Sequence, residues 1–495
     1  MENFDVIIVG AGLSGIGAAK HLIDNCSKKS FAILEGRAAV GGTWDLFRYP
    51  GIRSDSDMYT LGYNFKPWKD AKAIADGPSI RRYVNEAADE NGIREHIRFQ
   101  HLVKSASWST NTAQWIVEAE KADTGETVQY SCNFLSMCGG YYSYEKGYTP
   151  EFKEIENFEG QVVHPQFWPE DLKYEGKKVV VIGSGATAMT LVPALAKGGA
   201  EVTMLQRSPT YVVSLPAEDK IANRLRKFLP GKLAYALTRW KNVRLSKYFY
   251  NRARTQPAAV KAYLINMVKQ QLPNIDVDKH FTPSYNPWDQ RMCLIPDADL
   301  FKSLRSGKAG VVTDHIDHFT KSGIQLKSGQ ELEADIIVTA TGLQLNVLSD
   351  VKFTVDGKDI TVSEHFSYKG MMLSDVPNMV QTFGYINASW TLRADLTSEY
   401  VCRLINRMDK LGMRQVSAPL READKGMQAR KYIEDFTPGY MMRTAHLMPR
   451  QGDKEPWLNT QNYTQDKKMI RRAPLEDGVL KFENPHSATP KTSAA

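Results

Sequence analysis

The sequence contains few cysteines, and their positions exclude two common kinds of site. Five cysteines occur in 495 residues, at positions 26, 132, 138, 293 and 402. None of them forms the closely spaced pairs of a zinc site, and Cys132 and Cys138 are too far apart for a Cys-x-x-Cys redox motif. An odd number of cysteines without a secretory leader favours a reducing compartment over a disulfide framework. We therefore expect a cytoplasmic protein without a bound metal.

The chain also lacks a long uninterrupted apolar run. Residues 179–196 are apolar, but Gly, Ser, Thr and Pro interrupt them, so we expect no transmembrane helix. The first five residues are too polar for a signal peptide, and no cleaved targeting segment is expected. With 42% apolar and 24% charged residues, the composition is that of a soluble protein of two or three domains. The tail after Glu483 is rich in Pro, Ser, Thr and Ala and is expected to fray.

Acidic residues are absent between Lys220 and Lys269, where thirteen lysines and arginines contribute to a formal net charge of +7. Leu, Phe, Tyr and Trp240 alternate with these cations at partly helical spacing. Such a segment is either a weak peripheral contact with an anionic membrane or the solvated face of a helical insertion over a nucleotide-binding domain. No recognition module accompanies the charge, so nucleic acid is not an expected partner.

A glycine-rich turn near the N-terminus predicts a dinucleotide-binding fold. The apolar run Phe4–Val9 should be a buried strand, and it leads into Gly10-Ala11-Gly12-Leu13-Ser14-Gly15. In such a turn the first glycine makes the bend, the second admits a pyrophosphate and the third lets helix and strand pack closely. The next apolar run ends in Glu35, whose carboxylate would accept a ribose hydroxyl and repel a 2′-phosphate.

A second turn of the same type follows the run Lys178–Ile182 and reads Gly183-Ser184-Gly185-Ala186-Thr187-Ala188. Here the following strand ends in Gln206 and Arg207 rather than in an acid. A guanidinium can pair with a 2′-phosphate through two hydrogen bonds, which predicts NADPH rather than NADH. The alternative is that Arg207 is only a solvated surface charge.

Two further strings carry a family resemblance. Residues 158–169 match F-x-G-x-x-x-H-x-x-x-W-P, with Phe158, Gly160, His164, Trp168 and Pro169 at the defined positions. Residues 41–55 match G-G-x-W-x-x-x-x-Y-P-G-x-x-x-D at every defined position. Together they resemble the signatures of type I Baeyer–Villiger monooxygenases, within the flavin-containing monooxygenase superfamily. The related flavin monooxygenases that oxidise soft amines and sulfides carry Tyr or Phe in place of Trp168.

The resemblance extends over essentially the whole chain and is closest to the subgroup of ethionamide-activating and long-chain alkane monooxygenases. It implies FAD and NADPH as cofactors, with Trp44 beside the flavin and Asp55 on the nicotinamide side. It also implies that Arg291 is the active-site arginine, held by Asp55, although a surface salt bridge is the alternative for Arg291. The candidate cofactor-binding residues are Gly10, Gly12, Ser14, Gly15, Glu35, Gly42, Thr43, Trp44, Arg53, Asp55, Val103, Gly183, Ser184, Gly185, Thr187, Ala188, Gln206 and Arg207.

The expected fold class is α/β, with two Rossmann-like dinucleotide-binding domains. The FAD domain is discontinuous, and the NADPH domain is inserted into it. We expect a first part of the FAD domain at 1–148, the NADPH domain at 149–325 with a helical insertion at about 218–275, and the rest of the FAD domain at 326–495.

Three functions remain open at this point. The first is a monooxygenase that uses O2 to insert oxygen beside a ketone carbonyl and also oxidises sulfides. The second acts on long-chain alkanes or fatty ketones and docks on the inner face of a membrane through residues 220–269. The third is a two-nucleotide flavin reductase, which needs a redox cysteine pair beside the flavin.

Overall fold

The computed structural model describes residues 1–485. From residue 486 onward, the tail that is expected to fray lies outside the described residues. The strands are β1 (Glu2–Val9), β2 (Phe31–Leu34), β3 (Ile97–Arg98), β4 (His101–Ser109), β5 (Gln114–Lys121), β6 (Thr127–Met137), β7 (Tyr142–Gly147), β8 (Gln161–Val163), β9 (Lys178–Ile182), β10 (Glu201–Gln206), β11 (Val212–Leu215), β12 (Cys293–Pro296), β13 (Ala309–Thr313), β14 (Ile316–Phe319), β15 (Gly323–Leu326), β16 (Glu331–Glu333), β17 (Ile336–Thr339), β18 (Leu343–Leu345), β19 (Lys352–Val355), β20 (Lys358–Asp359), β21 (Ser367–Tyr368), β22 (Met372–Leu373), β23 (Met379–Gln381), β24 (Gln415–Ser417), β25 (Arg430–Lys431), β26 (Arg450–Gln451) and β27 (Lys481–Glu483).

The α-helices surround the sheets. They are α1 (Leu13–Asn25), α2 (Thr43–Leu46), α3 (Met58–Leu61), α4 (Gly77–Glu90), α5 (Ala186–Lys197), α6 (Lys220–Phe228), α7 (Gly231–Thr255), α8 (Pro257–Gln271), α9 (Val277–His280), α10 (Asp299–Arg305), α11 (Trp390–Leu411), α12 (Gly439–Thr444) and α13 (Tyr463–Arg472). Short 3-10 helices lie at 94–96, 155–157, 165–167, 348–350, 362–364, 422–424 and 445–447.

The first large sheet is built from both ends of the chain. Its strand order is β20-β19-β4-β5-β6-β1-β2-β3, and β23 also pairs with β6. The strands β1, β2 and β3 run parallel, which is the arrangement expected of a nucleotide-binding unit. Because β19, β20 and β23 come from beyond residue 350, this first domain is discontinuous, as the sequence predicts.

The second sheet has the order β13-β10-β9-β17-β8, and all its pairings are parallel. The strand β17 pairs with both β8 and β9 and therefore belongs to this inserted domain. The predicted boundary at 325/326 is too early, because it would separate β17 from its sheet. The chain crosses back to the first domain after β17, where β18 pairs antiparallel with the outgoing strand β7.

The helices α6, α7 and α8 occupy the region of the predicted helical insertion. The insertion does not rest on the second domain alone, because α7 packs against α3 of the first domain. Arg239, only 7% exposed, donates hydrogen bonds to the carbonyl oxygens of Tyr59 and Gly62 and lies 3.4 Å from the Asp395 carboxylate. Within residues 1–485, no helix is both long and apolar enough to cross a membrane.

Candidate active site

A cleft of about 1780 Å³ lies between the two domains and receives residues from both glycine turns. Most of the residues predicted from the sequence line it. They are Gly10, Gly12, Ser14, Glu35, Gly42, Thr43, Trp44, Arg53, Asp55, Val103, Gly183, Ser184, Gly185, Thr187, Arg207 and Arg291. Three predicted residues lie outside the lining: Gly15, Ala188 and Gln206.

The first glycine turn presents the N-terminus of α1 to the cleft. Gly10 has φ +100°, which a side chain would strain, and a Cβ at Gly15 would collide with the Gly10 carbonyl oxygen. Gly15 therefore acts through packing rather than through ligand contact. The N-cap residue of α1 is Gly12, and no side chain caps this end. Its free N–H groups and positive dipole end suit a pyrophosphate.

The glycine pair at 41–42 lies directly against this turn. A Cβ at Gly12 would stand 3.6 Å from the Cα of Gly42, so two backbones without side chains meet here. Ser14 accepts a 2.7 Å hydrogen bond from the indole N–H of Trp390. Trp44 is partly buried at the cleft wall. This half of the cleft is a glycine cradle bordered by indole rings, which fits the pyrophosphate and ring system of a flavin dinucleotide.

Glu35 is 5% exposed and stands where a ribose-binding acid is predicted. Its carboxylate accepts hydrogen bonds from the backbone N–H groups of Ala11 (2.7 Å) and Arg37 (2.9 Å). Burial raises its pKa, and these two N–H donors oppose the rise. Each carboxylate oxygen retains a further acceptor position, so Glu35 can both fix the turn and receive a ribose hydroxyl.

The second glycine turn repeats this arrangement in the inserted domain. Gly183 has φ +135°, and a Cβ there would collide with the Ala340 carbonyl oxygen. The N-cap of α5 is Gly185, again without a side-chain cap, and a Cβ at Gly185 would project into open space. Ala188 is fully buried in the domain core behind the turn. The two uncapped helix ends therefore face one cleft, as two pyrophosphates would require.

The side chains of Arg207 and Gln206, at the end of β10, point in different directions. Arg207 is exposed and lines the cleft. Gln206 is 1% exposed, and its amide donates to the His280 carbonyl oxygen (2.7 Å) and to Thr313 (2.9 Å). The predicted cofactor contact of Gln206 stays a prediction, and its Oε1 is buried without a hydrogen-bond partner within residues 1–485.

Arg53 joins the two domains. Its guanidinium forms an ion pair with Asp299 at 2.5 Å and approaches the Met189 carbonyl oxygen at 3.5 Å. Both partners belong to the inserted domain, whereas Arg53 belongs to the first. Its Nε is buried without a hydrogen-bond partner within residues 1–485, so this cation still has a donor to offer.

Asp55 and Arg291 meet in the same cleft. The Arg291 Nε and the Asp55 Oδ2 are 3.6 Å apart, and the two side chains are 38% and 18% exposed, toward the cleft. Burial raises the pKa of Asp55, while the charges of Arg291 and Arg53 oppose the rise. Burial also opposes the charge on Arg291, but Asp55 and the neighbouring tyrosine hydroxyls together outweigh it, and the pKa of Arg291 lies above its ordinary value. The site thus holds a permanent cation beside a carboxylate that can take up a proton.

Aromatic hydroxyls surround the guanidinium. Tyr141 and Tyr142 hydrogen bond to each other at 3.0 Å, and the Tyr141 ring stacks on Trp390 at 5.1 Å. Tyr440, on α12, lies beside Arg291. Burial raises the pKa of Tyr142 to about 12, so this hydroxyl stays protonated. This wall of the cleft is formed by apolar aromatic rings, and their hydroxyl groups are neutral hydrogen-bond donors near Arg291.

Sequence reasoning missed Tyr440 and Arg443, which approach the cleft on α12. The Arg443 guanidinium lies 3.4 Å from the centre of the Tyr148 ring and donates to the Leu343 carbonyl oxygen. The helix α12 thereby packs against β18, which pairs with β7 where the chain passes between the two domains. No motif surrounds them in the sequence, and only the folded chain places them here.

His164 lies at the domain crossing rather than in the cleft lining. Its Nδ1 accepts from the Gln166 N–H at 3.2 Å, and a Cβ at Gly147 of β7 would collide with its ring. Burial lowers the pKa of His164, so the ring is neutral at pH 7. Trp168 is 8% exposed in the core of the inserted domain. Residues 158–169 therefore connect β7, where the chain passes between the domains, to the core of the second sheet.

Two cysteines line the cleft, but they contact different parts of the protein. Cys138 lies near the hydroxyls of Ser136 and Thr382, and Cys293 near the Ser184 carbonyl oxygen. All five cysteines are buried free thiols. Within residues 1–485, no group of three or more His, Cys, Asp or Glu side chains is arranged to hold a metal ion.

Two dinucleotide folds that open onto one aromatic cleft define a two-dinucleotide oxidoreductase. The model of the family described as flavin-binding monooxygenase-like matches residues 4–411. The chain belongs to this family and is a flavoprotein monooxygenase. The reductase hypothesis is thereby disfavoured.

Relatives of known description agree with the predicted subgroup. The FAD-containing monooxygenase EthA of Mycolicibacterium smegmatis is 53% identical over 495 residues, which cover 100% of both chains. The probable FAD-binding monooxygenase AlmA of Acinetobacter baylyi is 50% identical over 484 residues, covering 97% of this chain and 96% of that one. The resemblance stated from the motifs is confirmed.

Solved structures share the fold at low sequence identity. An oxidised steroid monooxygenase bound to NADP aligns with a TM-score of 0.77 and 21% identity, covering 97% of this chain and 100% of that one. The enzyme OTEMO, in a complex with FAD and NADP, aligns with a TM-score of 0.75 and 20% identity over 97% and 99% of the two chains. The predicted fold class, with two dinucleotide-binding domains, is confirmed.

Proposed function

We propose that this protein is an FAD- and NADPH-dependent monooxygenase that uses O2 to insert an oxygen atom beside a ketone carbonyl, forming an ester or a lactone. We propose sulfides as a second substrate class. The observation that carries the proposal is the Arg291–Asp55 pair in a cleft that also receives two uncapped helix ends. The names of the solved relatives, which include a steroid and a polycyclic ketone monooxygenase, support the same chemistry.

The two halves of the cleft divide the cofactors between them. The glycine cradle at Gly12 and Gly42, with Glu35 behind it, would hold FAD. The turn at Gly183 and the N-terminus of α5 would hold the pyrophosphate of NADPH, and Arg207 would pair with its 2′-phosphate. Bound FAD and NADPH would supply hydride transfer and the activation of O2, and the protein residues would position and shield that chemistry.

Arg291 supplies the positive charge that this reaction needs. Attack on a carbonyl carbon requires a nucleophilic, negatively charged oxygen, and the carbonyl oxygen becomes negative in turn. A guanidinium held in place stabilises both charges, and a preorganised donor of this kind typically contributes on the order of 3 kcal/mol. Asp55 orients the guanidinium, and the rings of Tyr141 and Trp390 keep water from the reacting atoms.

The same charge argument favours ketones over alkanes. A guanidinium stabilises an anionic oxygen, which attacks an electrophilic carbonyl carbon. An unactivated C–H bond offers no such carbon. A long alkyl chain on a ketone is compatible with the apolar walls, so fatty ketones are included in the proposed substrate class.

We propose a cytoplasmic location, with a membrane contact argued separately below. The five buried free thiols suit a reducing compartment.

The test uses the purified yellow protein with NADPH and O2. A cyclic ketone, a fatty ketone, an alkyl sulfide and an alkane of matched length are offered separately, and products are identified by mass spectrometry. We expect an ester or lactone from each ketone and a sulfoxide from the sulfide. If NADPH is consumed with release of H2O2 only, or if the alkane alone is oxidised, the proposal is wrong.

A further inference from the structure

One side of α7 carries exposed apolar and basic side chains at helical spacing. Leu233, Leu237, Trp240, Arg244 and Tyr248 follow each other by three or four residues and so project from the same side. The four apolar members are 47%, 42%, 57% and 54% exposed. The Arg244 guanidinium lies 4.2 Å from the centre of the Trp240 ring. We call this set the α7 stripe.

Exposed apolar side chains concentrate around the stripe. Of the seventeen large hydrophobic side chains exposed within residues 1–485, nine lie between positions 220 and 269, about a tenth of the chain. Phe228, at the end of α6, is 77% exposed. Contiguous apolar surface of this kind is uncommon on soluble proteins and marks an interaction site. The α7 stripe is therefore a surface that a partner covers.

The charge around the stripe identifies the partner's chemistry. Thirteen lysines and arginines and no acid stand between Lys220 and Lys269. The exposed cations are Lys220, Arg224, Lys227, Lys232, Arg244, Arg252 and Lys269. A symmetric dimer through this surface would place cations against cations, which argues against a second copy of the chain. The partner must carry negative charge and accept apolar side chains at the same time.

We propose that the α7 stripe docks on an anionic phospholipid bilayer. Trp, Tyr and Leu side chains enter the boundary between headgroups and acyl chains, and Arg and Lys reach the phosphates with their charged ends. An acidic protein surface would match the charge, but it would not accommodate so many protruding apolar side chains. The docking does not depend on the reaction proposed above.

The C-terminal part of α7 contacts the segment that leads to Arg291. The Tyr250 ring lies 5.4 Å from the Trp288 ring, and Arg254 forms a 2.7 Å ion pair with Asp289. A docked α7 therefore holds the active-site segment close to the lipid surface.

The direct test is cosedimentation of the whole protein with vesicles. Vesicles of equal parts phosphatidylglycerol and phosphatidylcholine are compared with vesicles of phosphatidylcholine alone, at 50 and 500 mM salt. We expect binding to the anionic vesicles at low salt and its loss at high salt, because the Debye length falls from more than about 10 Å to less than about 5 Å over this range.

Matched variants locate the contact. Arg244→Glu with Arg252→Glu removes the same charge as the control Lys358→Glu with Lys410→Glu, which changes exposed lysines on β20 and α11. Leu237→Gln with Trp240→Gln is matched by Leu411→Gln with Leu447→Gln, which are also exposed. We expect both stripe variants to lower the partition coefficient by about tenfold or more and both controls to leave it within about threefold. Flavin absorbance and thermal unfolding establish that each variant is folded.

Three results would overturn the proposal. The first is a wild-type protein that stays in the supernatant with anionic vesicles at low salt. The second is an equal loss of binding in the stripe variants and in their controls. The third is a dimer in solution that the stripe variants dissociate, since the stripe would then face a second copy of the chain.

Discussion

Arg291 and Asp55 approach within 3.6 Å of each other although they belong to different domains. Asp55 ends the string at 41–55 of the first domain, and Arg291 stands in the inserted domain just before β12. The pair therefore exists only when the two domains take the orientation seen here. A second cross-domain pair, Arg53 with Asp299, supports the same orientation. The chemistry of the site therefore depends on the relative orientation of the two domains.

Replacing Arg291 with Met should strongly slow ester formation while flavin binding is retained. The variant removes the charge that stabilises the anionic oxygen, and we expect a loss of about 10²- to 10³-fold in the turnover number for ketone oxygenation. NADPH consumption should continue with release of H2O2. Product yield per NADPH measures the effect.

Arg443→Met is the matched control, because this second guanidinium also lines the cleft but is engaged with Tyr148 and Leu343. We expect it to retain most of the ester yield. If Arg443→Met abolishes oxygenation and Arg291→Met does not, the roles of the two arginines must be exchanged.

The pH profile should reveal the raised pKa of Asp55. Because burial raises this pKa, the carboxylate takes up a proton as the pH falls, at a higher pH than an ordinary Asp with a pKa of about 3.9. Below that pH the negative charge beside Arg291 is lost. We expect kcat/KM for the ketone to fall on the acid side in the wild type and the acid-side decline to disappear in Asp55→Asn. An identical acid limb in both proteins would rule out Asp55 as its origin.

Arg207→Ala should change the choice of nucleotide. Loss of a charge-assisted pair worth about 1.5 to 3 kcal/mol should raise the KM for NADPH by roughly one to two orders of magnitude and leave the KM for NADH nearly unchanged. Lys302→Ala, an exposed cation of the same domain outside the cleft lining, serves as the control. Equal losses with both nucleotides would mean that Arg207 does not read the 2′-phosphate.

Arg239→Met should destabilise the protein far more than Arg244→Met on the same helix. Removing Arg239 leaves Asp395 and three backbone carbonyl groups without this buried partner, which costs about 3 to 5 kcal/mol. Arg244 is exposed, so its replacement should change the free energy of unfolding by no more than about 0.5 kcal/mol. Thermal unfolding of the two variants side by side gives the comparison, and equal midpoints would show that Arg239 does not stabilise the contact of α7 with the first domain.

The parts of the site that the sequence predicts are those made by consecutive residues. The turns at Gly10 and Gly183 are strand, bend and helix start in one short stretch, so local pattern determines them. The cofactor contact of Gln206 stays a prediction. Its side-chain amide donates to the His280 carbonyl oxygen and to Thr313, and such contacts between distant residues are not visible in the local pattern.

Other features depend on pairings between distant residues. The strand β17 joins the second sheet through β8 and β9, and no signal near residue 326 reveals this. Tyr440 reaches Arg291 only because α12 packs at the β7–β18 crossing. The α7 stripe likewise required the structure, since the sequence alone left open whether residues 220–269 contact a membrane or form the solvated face of a helical insertion.

The most direct measurement of the central claim uses isotopically heavy O2. Purified protein is reduced with NADPH and mixed with a ketone under heavy O2, and the product is examined by mass spectrometry. We predict an ester or lactone that carries one heavy oxygen atom in its ring or ester linkage, and we predict that Arg291→Met forms it about 10²- to 10³-fold more slowly. An unlabelled ester, or a labelled ester formed equally well by Arg291→Met, would contradict the account.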